Sequence, residues 1–199
     1  MTMTTIETPQ GPGHFVSKWR SEGPVDSNTL QQWKDEMKWP SWLPLAEAAL
    51  FLDAPELLGG VGGVLTPAER AVLGLVRRRW LGDTHLLEPI EAALETTRDP
   101  ETRDLALEGR LRMERGLVRY EAGDVEGADE DLTWAETRLK SVALASRDHD
   151  LSLLNKAAYH LAQGENLMAL QVYGDISRTG GHAHETVAIS RLGASRIRY

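Results

Sequence analysis

Apolar residues recur three or four positions apart through most of the chain, which is the spacing of one face of an α-helix. The pattern predicts one helix that begins near Thr66 and ends at Trp80, and a second helix over Leu86–Leu94. Further helices are predicted at residues 105–120, 125–139, 153–161, 167–176 and 184–198. Strict alternation of polar and apolar side chains over four or more residues is not found, so no strand is predicted and the fold class is expected to be all-α.

Three pairs of glycine and an acidic residue separate these helices at a constant interval. Gly82-Asp83, Gly123-Asp124 and Gly164-Glu165 follow one another at a spacing of 41 residues. Glycine adopts the left-handed conformation that ends a helix, and Asp83 can cap the helix that follows. Because each pair lies between two amphipathic runs, the chain is predicted to be an α-solenoid of about three helical hairpins.

Residues 66–199 are the predicted repeat domain. It starts at Thr66-Pro67-Ala68-Glu69, where Thr66 is a good N-cap and Glu69 has the spacing of its capping-box partner. A last helix, His184–Arg198, has no partner helix after it. Since it has one apolar and one polar face, we expect it to cap the end of the solenoid.

Two segments precede the repeats. Residues 1–26 are interrupted by glycine and proline and are predicted to be a flexible arm. Residues 27–65 are predicted to form a helical segment, with helices at Thr29–Lys38 and Leu45–Leu52, followed by the glycine-rich link Gly59–Gly63. Four tryptophans cluster between residues 19 and 42, and we expect them to pack the N-terminal helices onto the first repeat; alternatives are an exposed aromatic patch for a partner, or a cavity for a small molecule. They are Trp19, Trp33, Trp39 and Trp42.

The second and third hairpins resemble tetratricopeptide repeats, in which small residues let two helices approach closely and a Gly-Asp or similar pair makes the turn. The second hairpin carries the pattern in Gly116, Tyr120, Gly123-Asp124, Ala128, Leu132 and Ala135. The third carries it in Ala157, Leu161, Gly164-Glu165, Ala169, Tyr173 and Ile176. The first hairpin, Ala68–Leu94, fits less well because Leu75 stands where a small residue is usual.

The period of this chain exceeds the usual tetratricopeptide repeat of about 34 residues. Long variants of this kind resemble the repeats of large bacterial regulators and of adaptor proteins. The resemblance implies a protein or peptide as partner and implies no catalytic residues. We therefore expect a bacterial adaptor or regulatory scaffold; a small-molecule sensor or enzyme accessory subunit and a self-assembling protein are the alternatives.

In such a stack the first helices of successive hairpins line the concave side, where a partner would bind. The register of the resemblance places nine residues there: Arg79, Arg110, Met113, Leu117, Tyr120, Leu154, Asn155, Ala158 and Arg191. Apolar residues at the centre and arginines at the edges would suit an amphipathic or acidic-ended peptide. Alternatively, the N-terminal segment folds back into the groove, or an apolar end pairs with a second copy to form a homodimer.

Composition and charge limit the classes of molecule that the chain is expected to bind. The 199 residues carry a formal net charge of −8, which disfavours nonspecific attraction to nucleic acid and to anionic membranes. Apolar runs fall short of the ~20 residues of a membrane span, and Met1–Arg20 lacks a secretory pattern. The absence of cysteine excludes disulfides and fits the cytoplasm. Seven acids and no base lie between Tyr120 and Thr137; they are predicted to form a solvated helix face, and the alternative is an acidic end that docks on a partner or on a second copy.

No residue pattern points to catalysis or to a cofactor. Gly59–Gly63 lacks the lysine and the hydroxyl of a phosphate-binding loop, and no serine or threonine lies in a nucleophile-elbow motif. His182-Ala183-His184 is the one close histidine pair, but a metal would need a third ligand from elsewhere, so the pair is interpreted as part of a polar loop. We expect no enzyme activity and no metal site.

Overall fold

The computed structural model describes residues 42–51, 65–98, 103–144 and 146–198, together with Asp35. Over these residues the chain forms eight α-helices and no β-strand, which confirms the all-α prediction. The helices are α1 Leu43–Phe51, α2 Pro67–Trp80, α3 Leu87–Arg98, α4 Leu105–Glu121, α5 Val125–Val142, α6 Arg147–Ala162, α7 Asn166–Arg178 and α8 His184–Arg198. Within the described ranges, no helix combines the length and the apolar character needed to cross a bilayer.

Several predictions for the N-terminal part fall outside the described residues. These are the flexible arm over residues 1–26, the Thr29–Lys38 helix apart from the helical Asp35, and the link Gly59–Gly63. Three of the four clustered tryptophans lie outside as well, and the fourth, Trp42, is half-buried.

The chain divides into two compact units, Met1–Trp80 and Leu81–Tyr199. In the first unit α1 packs against α2. The predicted capping box is present at the start of α2: the Thr66 amide donates to Glu69 Oε2 at 2.7 Å, and the Glu69 amide donates to Thr66 Oγ1 at 3.2 Å. The unit boundary follows Trp80, so α2 and α3, which were predicted to form one hairpin, belong to different units.

In the second unit every helix packs against the next one along the chain, from α3 to α8. Two further contacts skip a helix, since α4 also contacts α6 and α6 also contacts α8. One hydrophobic core is shared by α4, α5 and α6, and we call it the α4–α6 core. It contains Met113, Ala128, Leu132, Ala135 and Tyr159. A second core, which includes Ala157, Ala169 and Tyr173, joins α6, α7 and α8. Alternate helices are therefore neighbours, as the first helices of stacked hairpins would be.

The glycine turns adopt the predicted conformation. Gly82, Gly123 and Gly164 have φ angles of 80°, 88° and 76°. After α4, the Asp124 amide donates to the Arg119 carbonyl at 2.9 Å and the Gly123 amide to Tyr120 at 3.0 Å. The same two hydrogen bonds recur after α6, from the amides of residues 165 and 164 to the carbonyls of residues 160 and 161. Both turns are thus Schellman motifs, which require the left-handed glycine.

The first turn differs from the prediction in one respect. Asp83 accepts a hydrogen bond from the His85 amide at 2.8 Å and does not cap a helix, because α3 begins only at Leu87. The delay has a physical reason in Pro89. If α3 began earlier, Pro89 would lie beyond its first turn. Residues there donate their backbone N–H to a carbonyl oxygen, and proline has no N–H to donate.

Small residues allow the close helix contacts that the repeat pattern predicts. A Cβ atom added at Gly116 would lie 3.0 Å from Leu132 Cγ and 3.2 Å from the Ala128 carbonyl oxygen. One added at Gly193 would lie 2.5 Å from the Tyr173 ring. The α4–α5 and α7–α8 contacts therefore depend on the absence of a side chain at these positions.

Candidate functional site

Six of the nine predicted partner-binding residues have accessible surface in the second unit. Leu117 and Tyr120 on α4, and Leu154 and Asn155 on α6, are half-buried, whereas Ala158 on α6 and Arg191 on α8 are exposed. We call these six residues the first-helix face. Arg79 is half-buried on α2 and belongs to the N-terminal unit.

The structure places Arg110 and Met113 in the interior, not on an accessible surface. Met113 is 1% exposed and belongs to the α4–α6 core. Arg110 is 3% exposed; its guanidinium donates to Glu114 Oε1 at 3.0 Å and to Asp148 Oδ1 at 2.6 Å. The correction follows from packing. Because α4 contacts α3, α5 and α6, less of its surface is accessible than if it packed only against α5, its partner in the hairpin.

Aromatic and aliphatic packing supports the α4 and α6 part of the first-helix face. The Tyr120 ring meets the Tyr159 ring edge to face, with 5.5 Å between centroids. Leu117 and Tyr120 cover the α4–α6 core, and Leu154 covers the second core. Leu117, Tyr120 and Leu154 are thus half-buried apolar side chains, each held by the core beneath it.

A cation beside this aromatic pair, Lys156, is engaged within the chain. Lys156 is 6% exposed, and its Nζ atom lies 2.5 Å from Asp129 Oδ1 and 2.6 Å from Thr133 Oγ1. It also lies 5.3 Å from the centroid of the Tyr159 ring. Burial raises the pKa of the Tyr159 phenol, and the charge of Asp129 raises it further. The ammonium group therefore ties α6 to α5.

A buried carboxylate in the acidic stretch corrects the prediction of a wholly solvated face. Asp131 is 1% exposed. Arg115 donates two hydrogen bonds to it, each at 2.7 Å, and Arg119 donates a third at 3.1 Å. Arg112 Nη1 lies 3.6 Å from the same carboxylate. The hydrogen bonds that Arg115 donates to Asp131 raise the pKa of Arg115, and burial of the guanidinium opposes this increase.

A second buried polar cluster joins the start of α6 to the loop before α8. Asp150 Oδ1 accepts a hydrogen bond from His182 Nδ1 at 2.7 Å. Its Oδ2 accepts one from the Ala183 amide at 2.9 Å and one from the Thr186 hydroxyl at 2.8 Å. His149, next to Asp150, stacks its ring on that of His182 with 5.9 Å between centroids. Among the described residues, His149, Asp150 and His182 are a group whose ligand atoms all lie within 4.8 Å of one another.

His149 is the unsatisfied member of this cluster. It is 3% exposed, and neither of its ring nitrogens has a hydrogen-bond partner among the described residues. Burial lowers the pKa of His149, and the neighbouring His182 and Lys140 lower it further, while Asp150 and Glu136 act in the opposite direction. The neutral imidazole leaves one nitrogen lone pair available to a ligand.

The two clusters differ in how far the sequence could reveal them. Arg112, Arg115 and Arg119 are three and four positions apart, so they form one stripe on α4, and that stripe signals an acidic neighbour. No local pattern joins His149 to His182, because they lie on different elements. Of the histidine pair in the sequence, only His182 belongs to the cluster, and His184 is exposed.

Comparison with known proteins gives no relative from which a role could be transferred. Family models, curated proteins and solved structures yielded no match to this chain. The function is therefore argued from the residues of the chain itself.

Proposed function

We propose that this chain is a binding protein of the tetratricopeptide-repeat type and that its first-helix face holds a peptide segment of another protein. One observation carries the proposal: α4 contacts α6, and α6 contacts α8, although another helix lies between each pair in sequence. The residues that the repeat register assigns to a binding face thus lie on three successively adjacent helices. A line of adjacent first helices is what a stack of hairpins offers to an extended or helical ligand.

The chemistry of the face indicates an amphipathic peptide. Leu117, Tyr120 and Leu154 offer preorganised apolar contact area, and aromatic anchors of this kind dominate many interfaces. The amide of Asn155 can both donate to and accept from a peptide backbone. Arg191 is exposed on α8, where its guanidinium could pair with a carboxylate on the ligand.

The proposal is tested with a peptide selection on the purified full chain. A displayed library of random peptides is enriched on the immobilised protein, and dissociation constants of the enriched peptides are measured by fluorescence polarisation. The diagnostic variant is Ala158→Glu, which places a charge at an exposed position of α6 without opening the core. Ala92→Glu is the matched control, because Ala92 is exposed on α3, which does not carry the face.

We expect enriched peptides to share spaced apolar residues and an acidic residue toward one end. Ala158→Glu should weaken binding at least about tenfold, the effect of losing one interface contact worth 1.4 kcal/mol. Ala92→Glu should leave the dissociation constant within about twofold. Failure to enrich any peptide, or equal loss of binding in both variants, would contradict the proposal.

A further inference from the structure

We propose that His149, Asp150 and His182 form a binding site for a divalent transition-metal ion of the zinc class. The proposal is independent of the first-helix face. It assigns a role to the histidine–aspartate cluster between the start of α6 and the loop that precedes α8.

The ligand set and its spacing fit such an ion. Two imidazoles and one carboxylate are ligands that zinc and its first-row neighbours prefer, whereas magnesium and calcium favour sets of oxygen ligands. Zinc bonds of about 2.0–2.2 Å place tetrahedral ligands roughly 3.3 Å apart. The three side chains already offer ligand atoms within 4.8 Å of one another. Small side-chain rotations would therefore bring them into the first coordination shell.

The unsatisfied imidazole of His149 is the second observation that points to a ligand. A buried side chain with both ring nitrogens unpaired is costly, and such groups are rare in folded proteins. His149 is held in this position by its backbone, since its amide donates to Ser146 Oγ at 3.1 Å and its carbonyl accepts from Ser152 Oγ at 2.7 Å. Coordination to a metal would satisfy one of the two nitrogens without moving the helix.

The surrounding residues supply the outer shell that metal ligands normally have. The Ala183 amide and the Thr186 hydroxyl hold Oδ2 of Asp150, so Oδ1 faces His182. Thr179 Oγ1 lies 3.1 Å from His182 Nε2 and holds the other side of that ring. Such outer-shell hydrogen bonds orient ligands and commonly contribute 10–100-fold to metal affinity. Outside the trio, the charged groups that act on the pKa of His149 are Glu136, which raises it, and Lys140, which lowers it, both on α5.

A bound ion would link two separate parts of the second unit. His149 and Asp150 lie in the first turn of α6, whereas His182 lies in the loop between α7 and α8. Because the linked groups are 32 positions apart, the ion would favour the folded state of this segment over the unfolded chain.

The test uses the untagged full chain, since a histidine tag would itself bind metal. After dialysis against a chelator, zinc chloride is titrated by calorimetry, and the melting temperature is measured with and without zinc. Cobalt(II) serves as a spectroscopic probe, and X-ray absorption of the zinc-loaded wild type counts the imidazole ligands. The variants are His149→Phe, which keeps a buried ring, and His182→Gln; His184→Gln is the control at the exposed neighbouring histidine.

We expect one zinc ion per chain, two imidazole ligands in the absorption spectrum, and a higher melting temperature with zinc. His149→Phe and His182→Gln should each weaken zinc binding at least about 100-fold, since loss of a ligand should exceed the loss of an outer-shell partner. His184→Gln should bind as the wild type does. The proposal is overturned if the wild type shows no saturable binding, or if His149→Phe binds zinc as tightly as wild type. If a variant does not fold, the wild-type ligand count decides, and a spectrum without two imidazoles overturns the site.

Discussion

Replacement of Asp131 by asparagine tests whether the buried ion cluster holds α4 to α5. Asp131 is 1% exposed and accepts three hydrogen bonds from two arginines of α4. Asparagine has nearly the same shape, so the substitution opens no cavity. It removes the negative charge and replaces one acceptor oxygen with an NH₂ group that faces a guanidinium. Arg115 and Arg119 would then have lost the carboxylate that compensates their partial burial.

The size of the effect follows from burial. Removing one partner of a buried ion pair costs about 3–5 kcal/mol, because the remaining charge stays desolvated without compensation. One acceptor oxygen remains in asparagine, and the arginines are half-buried, so we expect a loss at the lower end, about 3 kcal/mol. For a chain of this length each kcal/mol lowers the melting temperature by about 2–4 °C, so the melting temperature should fall by about 10 °C.

The assay is urea unfolding followed by the circular dichroism of the helices, with thermal unfolding in parallel. Glu130→Gln is the matched control, because it neutralises an exposed acid one position away on α5; it should change stability by about 0.5 kcal/mol or less. Buried pairs are weakly screened, so the difference between the variants should persist at 0.5 M salt, at about the same value. A loss below about 1 kcal/mol for Asp131→Asn, or a loss equal to that of Glu130→Gln, would refute the reasoning.

Three further predictions concern local packing and ionisation, each measured by urea unfolding. Gly193→Ala should lower the free energy of unfolding by about 1–3 kcal/mol, because the added methyl group would lie 2.5 Å from the Tyr173 ring. Gly174→Ala is the control; its methyl group would lie 3.6 Å from Arg178, so it should be neutral or stabilising. A larger loss of stability in Gly174→Ala than in Gly193→Ala would contradict the α7–α8 packing. Gly123→Ala should cost about 1–2 kcal/mol, because φ is 88° there, and a stability equal to wild type would exclude the left-handed turn. Burial raises the pKa of Tyr173 above its ordinary 10.0, although Arg196 opposes the shift, so the folded state holds this proton more tightly than the unfolded chain. The stabilisation that this proton gives the folded state is complete below pH 10.0 and is lost as the pH rises through the higher folded pKa. Tyr173→Phe should lack this loss of stability at high pH. Parallel profiles of unfolding free energy against pH in the variant and the wild type would contradict the prediction.

The interior of the second unit shows how far local reasoning reaches. Gly116 was identified from the repeat pattern, and it lies at a close helix contact. Arg110 and Met113 were assigned from the same register to a binding face, yet both are buried. The register specifies which side of a helix faces its hairpin partner, but α4 also contacts α3 and α6. Burial by these other neighbours depends on how the hairpins pack together.

Charge was the least predictable property. The acids between Tyr120 and Thr137 look alike in sequence, but Asp131 is buried and Glu130 is exposed. The difference arises because Asp131 faces the arginines of α4, whose positive charge compensates its removal from water. The sequence around a charged residue does not identify its ion-pair partner. The positions of both helices were therefore needed to tell the buried Asp131 from the exposed Glu130.

The sequence by itself determined the helices, the three left-handed glycine turns and the capping box at Thr66. These features depend on residues within about four positions of one another, and backbone geometry acts over that range. Only the tertiary structure decided which charges are buried, which of the predicted partner residues stay accessible, and that His149 and Asp150 meet His182. Those contacts join residues tens of positions apart, so they depend on how whole helices pack.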